Sequence, residues 1–422
     1  LSKANIHFVS AEQLTAKGTL DLQSSQSSFT KGEQQAQLEK LALKIPFDVS
    51  RNKANLTAIG NLDLQLKMPA FAQADLNAKL DNLKLSTPFN VKQNALGLTA
   101  TGDLDLQLGN SLVVQAQQQV EFDGLTLKAP FEVKQDKETG LTANLASTAL
   151  DLNELVLSLD SLAVQNKELR IALNEVAFSM DSKEAMTASL VADIQSNGLT
   201  VQQAGNTANY DEFNLSNTLA LQKNSDSLST QNSNLSIDIK GLNATQSDEK
   251  HVSLAAATLT ADQLNVDQTG QEAPRVEGIN LNITSESLDS KLTNNKRIAS
   301  WKNADISSLS FTQQDSDFEA SLSQLNIMDF TFSELVSTQN DKTVLPALGH
   351  LNSLKVEQLK ANQDGANIKK ITADALDINL MLDAQQNIEN LVFTEAEEQK
   401  VPTENTQKSQ VPRVEDAKST LE

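Results

Sequence analysis

Residues suited to proton transfer or metal binding are sparse in this chain. Its histidines are His7, His251 and His350, and none has a neighbour at metal-ligand spacing. Ser and Asp occur throughout, so a Ser-His-Asp set could be drawn around any of them and carries no information. They read as surface or strand-end histidines. Carboxylates could ligate calcium, yet neither the EF-hand loop nor the Gly-Gly-x-Gly-x-Asp nonapeptide occurs. No Gly-rich loop is built to cradle phosphate. The scattered Asp and Glu read instead as a solvated face. Asn55, Asn214, Asn234, Asn243 and Asn282 open Asn-x-Ser/Thr triplets, which a chain rich in these residues produces by chance. Tyr210 and Trp301, the one Tyr and the one Trp, read as local packing. The sequence therefore predicts a protein that is not an enzyme and holds no cofactor and no metal.

Composition points to an unusual architecture. Length alone, at 422 residues, suggests two to four globular domains. Aromatic residues at 4% leave few large side chains to fill deep cores. The apolar mass is Leu, Ala, Val and Ile spread thinly, which suits a long shallow core or a lined groove. A formal charge of −21 favours solubility and repels phosphate backbones, so nucleic-acid binding is disfavoured. The chain has no cysteine, which excludes disulfides and thiolate metal sites. No run approaches the roughly 20 apolar residues that span a bilayer. Leu1 lies within the repeat pattern described next, so the chain reads as part of a longer protein whose membrane anchor lies elsewhere.

Two markers recur every 42 residues near the N-terminus. Leu14-Thr15-Ala16-Lys17-Gly18 returns as Leu56 to Gly60 and Leu98 to Gly102, each time leading into Leu-Asp-Leu-Gln. Pro46-Phe47, Pro88-Phe89 and Pro130-Phe131 keep the same step. A fixed period in this range signals units that bury their apolar faces only by stacking on neighbours. Within a unit the pattern is strand-like. Leu62, Leu64, Leu66 and Met68 alternate with Asp63, Gln65 and Lys67, a period that segregates apolar from polar on a strand and smears them on a helix. Leu20 and Leu22, then Leu104, Leu106 and Leu108, follow the same rule, as do the pairs Phe47 and Val49, Phe89 and Val91, Phe131 and Val133. Apart from Met68, these residues, fourteen in all, are the expected lining of an apolar groove.

A third motif carries a built-in slip: an apolar residue, then two others, then Leu or Val, any residue, and another apolar one. It occurs at Leu38 to Leu43, Leu80 to Leu85, Phe122 to Leu127, Leu152 to Leu157, Leu159 to Val164, Leu173 to Phe178 and Leu351 to Val356. A three-residue step inside a two-residue rhythm changes phase, so a bulge or tight bend must return both halves to one face. Repeated in every unit, such bends would curve the sheet transversely into a trough. Asn197-Gly198 and Asp364-Gly365 read as turns, and Ser333 to His350 as the best helical candidate. The expected organisation is regular 42-residue repeats over 1–150, a degenerate continuation of the same sheet over 151–393, and a charged disordered linker over 394–422. Four strands per unit would extend the ordered region on the order of 150 to 200 Å.

The Leu-x-x-Leu-x-Leu strands, the Gly-x-Leu-x-Leu-x-Leu segments at Gly60 and Gly102, and the closing pattern from Leu351 to Phe393 resemble bacterial AsmA-like proteins. The charged stretch that follows is similar to that of a subgroup built on a domain of unknown function near that family. The resemblance implies an all-β fold, a long curled antiparallel sheet with an open apolar groove. It also implies a periplasmic location, an inner-membrane anchor through an N-terminal helix absent from this chain, and a part in phospholipid movement between the inner and outer membranes. Phospholipid or another acyl-chain lipid would be the partner. A closed β-solenoid adhesin or structural protein with a dry core is the alternative that the period, acidity and missing cysteine also allow.

Overall fold

A computed structural model describes residues 3–10, 13–247, 249–292, 296–335, 345–386 and 388–392. These residues form one antiparallel sheet of 22 strands, with no helix among them. β1 (Lys3–Ser10), β2 (Gln13–Lys31) and β3 (Gln34–Asn52) open it. Four collinear pairs follow: β4 (Asn55–Lys67) with β5 (Ala70–Gln73), β6 (Leu76–Leu80) with β7 (Asn82–Gln93), β8 (Gly97–Leu108) with β9 (Ser111–Gln115), and β10 (Gln118–Phe122) with β11 (Gly124–Asp136). The rest are β12 (Gly140–Leu159), β13 (Leu162–Met180), β14 (Met186–Gln203), β15 (Asn206–Lys223), β16 (Ser227–Gln246), β17 (Lys250–Thr269), β18 (Arg275–Leu292), β19 (Lys296–Gln314), β20 (Asp317–Leu335), β21 (Gly349–Asn362) and β22 (Gly365–Ile378).

Collinearity is visible in the register. β3 pairs with β4 from Lys40↔Lys67 to Asn52↔Asn55, and with β5 from Gln34↔Gln73 to Gln37↔Ala70, in one unshifted frame. Merging the four pairs turns 22 strands into eighteen rows. Each row pairs with the next in chain order, because short turns permit only antiparallel neighbours. Asparagine builds several of these turns: the Asn94 Oδ1 accepts from the Leu96 and Gly97 N–H groups, and Asn224 and Asn362 act likewise.

Several expectations need correction. Gly18, Gly60 and Gly102 lie on β2, β4 and β8, which are alternate rows, so a 42-residue step covers two long strands, not four short ones. Eighteen rows at about 4.8 Å then extend roughly 80 Å, half the length expected. The helical candidate Ser333 to His350 has strand at both ends, since Ser333 to Leu335 end β20 and Gly349 opens β21, and its 336–344 lie outside the described residues. Asn197-Gly198 is not a turn but sits inside β14, whereas Leu159 to Val164 is a hairpin with Asp160 at φ 43°. Asp364-Gly365 does close the hairpin between β21 and β22. The expected linker 394–422 lies outside the described residues. The boundary near residue 150 leaves the sheet unbroken, since β12 runs through it.

Two creases cross the sheet. The first follows Gln26, Met68, Glu154, Gly198, Gly241, Ser287, Asp329 and Ala375, each at a φ between 47° and 63° on an alternate row. On the rows between, the ladder skips Glu39, Lys167, Ala255, Lys302 and Asn352 opposite them. Five of the seven slip motifs fall on this line. In β3 positions 34, 36 and 38, then 41, 43 and 45, are among the half-buried ones, with 39 and 40 exposed. The three-residue step thus keeps Leu38 and Leu41 on one face. Met68, expected inward, is instead the kink itself and 55% exposed. The second crease starts where Pro46, Pro88 and Pro130 interrupt the ladder, as residues lacking an N–H must. It continues through Glu175, Asn234, Asn280, Ser308 and Gln358, all at φ between 51° and 55°. Its glutamate belongs to the motif at Leu173 to Phe178.

Candidate functional site

Directly opposite residues in an antiparallel sheet share a face, so rows of side chains can be followed from strand to strand. One row runs Leu22, Leu43, Leu64, Leu85, Leu106, Leu127 and Leu150. It continues as Ile171, Ile194, Leu215, Ile237 and Leu259, then Ile283, Ile306, Leu325, Val356 and Ile371. Every strand from β2 to β22 in this row contributes Leu, Ile or Val. The adjacent row on the opposite face runs Gln23, Ala42, Gln65, Lys84, Gln107, Thr126 and Asp151 in the same strands. It goes on as Arg170, Gln195, Asn214, Asp238 and Thr258, and Ala42 is its one apolar member up to that point. One face thus carries an unbroken apolar row and the other a row that is polar but for Ala42.

The apolar face continues beyond both creases. On the far side of the first, Phe29, Ala36, Phe71, Ala78, Val113, Val120, Leu157, Val164 and Val201 stand in line. On the far side of the second lie Ala16, Val49, Ala58, Val91, Ala100, Val133 and Ala143. Beside that row, glycine alternates with phenylalanine: Gly18, Phe47, Gly60, Phe89, Gly102, Phe131. A Cβ on Gly60 would come within 2.5 Å of the Phe89 ring, and one on Gly102 within 2.5 Å of the Phe131 ring. The rings therefore lie over the glycines and fill the space those residues leave. Gly278 with Phe311 and Gly349 with Phe332 repeat the contact far along the chain.

All fourteen residues expected to line a groove lie on this face. Leu22, Leu64 and Leu106 stand in the continuous row, and Leu66 and Leu108 in the one beside it. Leu20, Leu62 and Leu104 flank it on the other side, and Phe47, Phe89, Phe131, Val49, Val91 and Val133 lie past the second crease. Thirteen are half-buried, and Leu22 is 49% exposed. The sequence reading missed Leu43, Leu85 and Leu127, although with Leu22, Leu64 and Leu106 they recur every 21 residues. That half-period was the available signal.

Little covers this face. Among the described residues the buried apolar ones are Ala261 at 3% and Val356 at 9% exposure, so the side chains shelter one another without meeting a second layer. Shallow concavities follow the creases. One of about 590 Å³ is lined by Leu38, Met68, Pro69 and Leu80, and one of about 460 Å³ by Gly278, Ile279, Phe311 and Ala361. Polar groups interrupt the apolar face, two of them as hydrogen-bonded clusters. The Asn166 amide donates to the Ser196 Oγ at 2.6 Å and the Tyr210 hydroxyl donates to the same oxygen at 2.9 Å. The Trp301 Nε1 donates to the Ser285 Oγ at 3.0 Å. These bonds satisfy the Tyr210 hydroxyl, the Trp301 indole and both serine hydroxyls, whereas the Asn166 Oδ1 is buried without a partner.

The polar face is tied by cross-strand ion pairs. Lys17 meets Asp48 at 2.9 Å, Lys67 meets Glu39 at 2.7 Å and Lys240 meets Glu212 at 2.8 Å. The hydrogen bond from Lys240 holds the Glu212 carboxyl below its usual range. Burial opposes ionisation of Asp289, but Arg297 and Lys291 outweigh it and its carboxyl is likewise lowered. His350 lies between Thr331, whose hydroxyl is 3.0 Å from Nδ1, and Asn352, whose side-chain oxygen is 3.2 Å from Nε2. His251 is exposed. Among the described residues no group of three His, Asp or Glu is placed to hold a metal ion, and no helix is long and apolar enough to cross a membrane. No family model, curated protein or solved structure matches this chain.

Proposed function

We propose that the creased sheet is a trough for lipid acyl chains and that this chain is a section of a conduit of the AsmA-like kind. It would be anchored at the inner membrane, would cross the periplasm and would support the outer membrane. The hairpin of two long strands is its structural unit, added every 42 residues in the N-terminal part. The carrying observation is the Leu, Ile and Val row that passes from β2 to β22 without a polar residue. An exposed methylene costs about 0.8 kcal/mol in water, so an acyl chain of a dozen methylenes faces roughly 10 kcal/mol without such a surface. Equivalent side chains at every strand give successive positions similar affinity, which favours sliding over arrest.

A closed adhesin-like solenoid would pack its inward side chains against one another. Among the described residues, the scarcity of buried apolar side chains and the edge strands β1 and β22, each paired on one side, favour the open trough. The test replaces Leu64 and Leu106 with Asp in the full chain and follows a pyrene-labelled phospholipid between two vesicle populations. Transfer should fall at least about tenfold, since two carboxylates in an apolar path each oppose passage. Gln65→Asp with Gln107→Asp, on the polar face, should leave it unchanged. Equal transfer by the two double variants, with native circular dichroism in both, removes the proposal.

A further inference from the structure

The last strand differs from every strand inside the sheet. All fourteen residues of β22 are exposed, and among the described residues it pairs with β21 alone. Val356 in β21 is 9% exposed, while Ile371 beside it in the same row is 59% exposed. Ile368, Leu376 and Ile378 are similarly open. A long unprotected edge with an apolar side invites another strand unless something blocks it. Lys369 and Lys370 are the kind of residue that blocks such edges, and Lys370 faces Glu357 in β21. The same strand carries Asp374 and Asp377 on the other side of its centre.

We infer that β22 is a docking edge for a second copy of this chain, paired antiparallel about a two-fold axis at Thr372. In that register Lys370 of each copy meets Asp374 of the other on the polar face, so the blocking charges become complementary. On the apolar face Ile371 meets Ala373, Ile368 meets Leu376, and Ala366 meets Ile378. The kinks decide the register independently. A creased strand can pair along its length only with one whose kinks coincide. β22 crosses the two creases at Lys369 and Ala375, and Thr372 is midway between them. Pairing about Thr372 sets Ala375, at φ 49°, opposite the Lys369 of the second copy. Within the chain, Lys369 already faces a left-handed residue, Gln358 at φ 51°. An isologous contact of this kind closes as a dimer and cannot propagate, and it joins the two apolar faces side by side.

This inference follows from the edge strand and does not depend on the lipid reading. The paired form has equivalent outer ends, so bridging unlike membranes belongs to the unpaired chain. The test uses the full chain, whose lack of cysteine makes single cysteines unique. Opposite residues in an antiparallel pair have Cα atoms about 4.5–5.5 Å apart, within disulfide range. Thr372→Cys should therefore crosslink to a covalent dimer under mild oxidation, and Ala366→Cys should not. By light scattering the uncrosslinked chain should reach twice 45.7 kDa as concentration rises. Lys370→Asp should shift it to monomer, and Lys370→Asp with Asp374→Lys should restore the dimer. Absence of crosslinking by a folded Thr372→Cys chain, equal crosslinking at Ala366→Cys, or failure of the charge swap to restore what the single change removed would overturn the pairing.

Discussion

At Gly102 the useful property is absence of a side chain. The Phe131 ring occupies the space, with its Cζ 2.5 Å from where a Cβ would stand, and the Pro88 carbonyl closes the other side at 2.9 Å. Valine there must displace a ring packed beside the second crease. We expect Gly102→Val to destabilise its region by about 1–3 kcal/mol. Gly124, whose Cβ would meet only the Leu108 carbonyl oxygen at 3.7 Å, should accept alanine with little change. Urea midpoints of the two variants check the contrast, and equal shifts would deny the ring its role. The glycine and the Pro-Phe pair were both visible in the sequence as markers with one period. Their mutual contact was not, because local pattern contains no register. Register emerges once the turn lengths set Gly60 opposite both Phe47 and Phe89.

Strands of nineteen residues far exceed the usual five or six, and this is why the 42-residue unit looked like four strands. The slip motif was read correctly as a phase change, since a step of three can return to one face only through a bend. At Leu159 to Val164 the same spacing spans a hairpin, and Asn197-Gly198, expected as a turn, is a kink inside β14. The residue types that tolerate a left-handed backbone serve a mid-strand kink and a hairpin equally well. A crease residue is thus defined by backbone and not by side chain. Glu154 sits at φ 50° in the middle of β12, a conformation that costs a non-glycine residue about 1–2 kcal/mol. Glu154→Gly should therefore hold or increase protection of amides across β12 and β13 in hydrogen exchange, whereas Glu154→Val should lower it. A valine variant as protected as the glycine variant would mean that the crease does not need the left-handed residue.

A single layer with a continuously apolar side poses a problem that no individual strand reveals. Half-buried Leu and Ile side chains retain part of their contact with water, so the sheet keeps unrealised apolar burial along its whole length. A ligand that covers this face binds the folded chain and not the unfolded one, and must raise stability in proportion to occupancy. We expect oleate, kept below its micellar concentration, to raise the thermal midpoint without changing the β-sheet signal. At a hundredfold excess over its Kd the gain should be about 2.7 kcal/mol per independent site. Above its Kd a single pocket should add about 1.4 kcal/mol for each tenfold rise in oleate, and a trough with several equivalent positions a multiple of that slope. Leu64→Asp with Leu106→Asp should remove only the positions near those residues. The gain should then shrink but persist, because Ile171 to Ile371 still supply an unbroken row. Loss of the entire gain would place binding in one N-terminal pocket, and no gain in the parent chain would mean that the apolar face does not hold acyl chains.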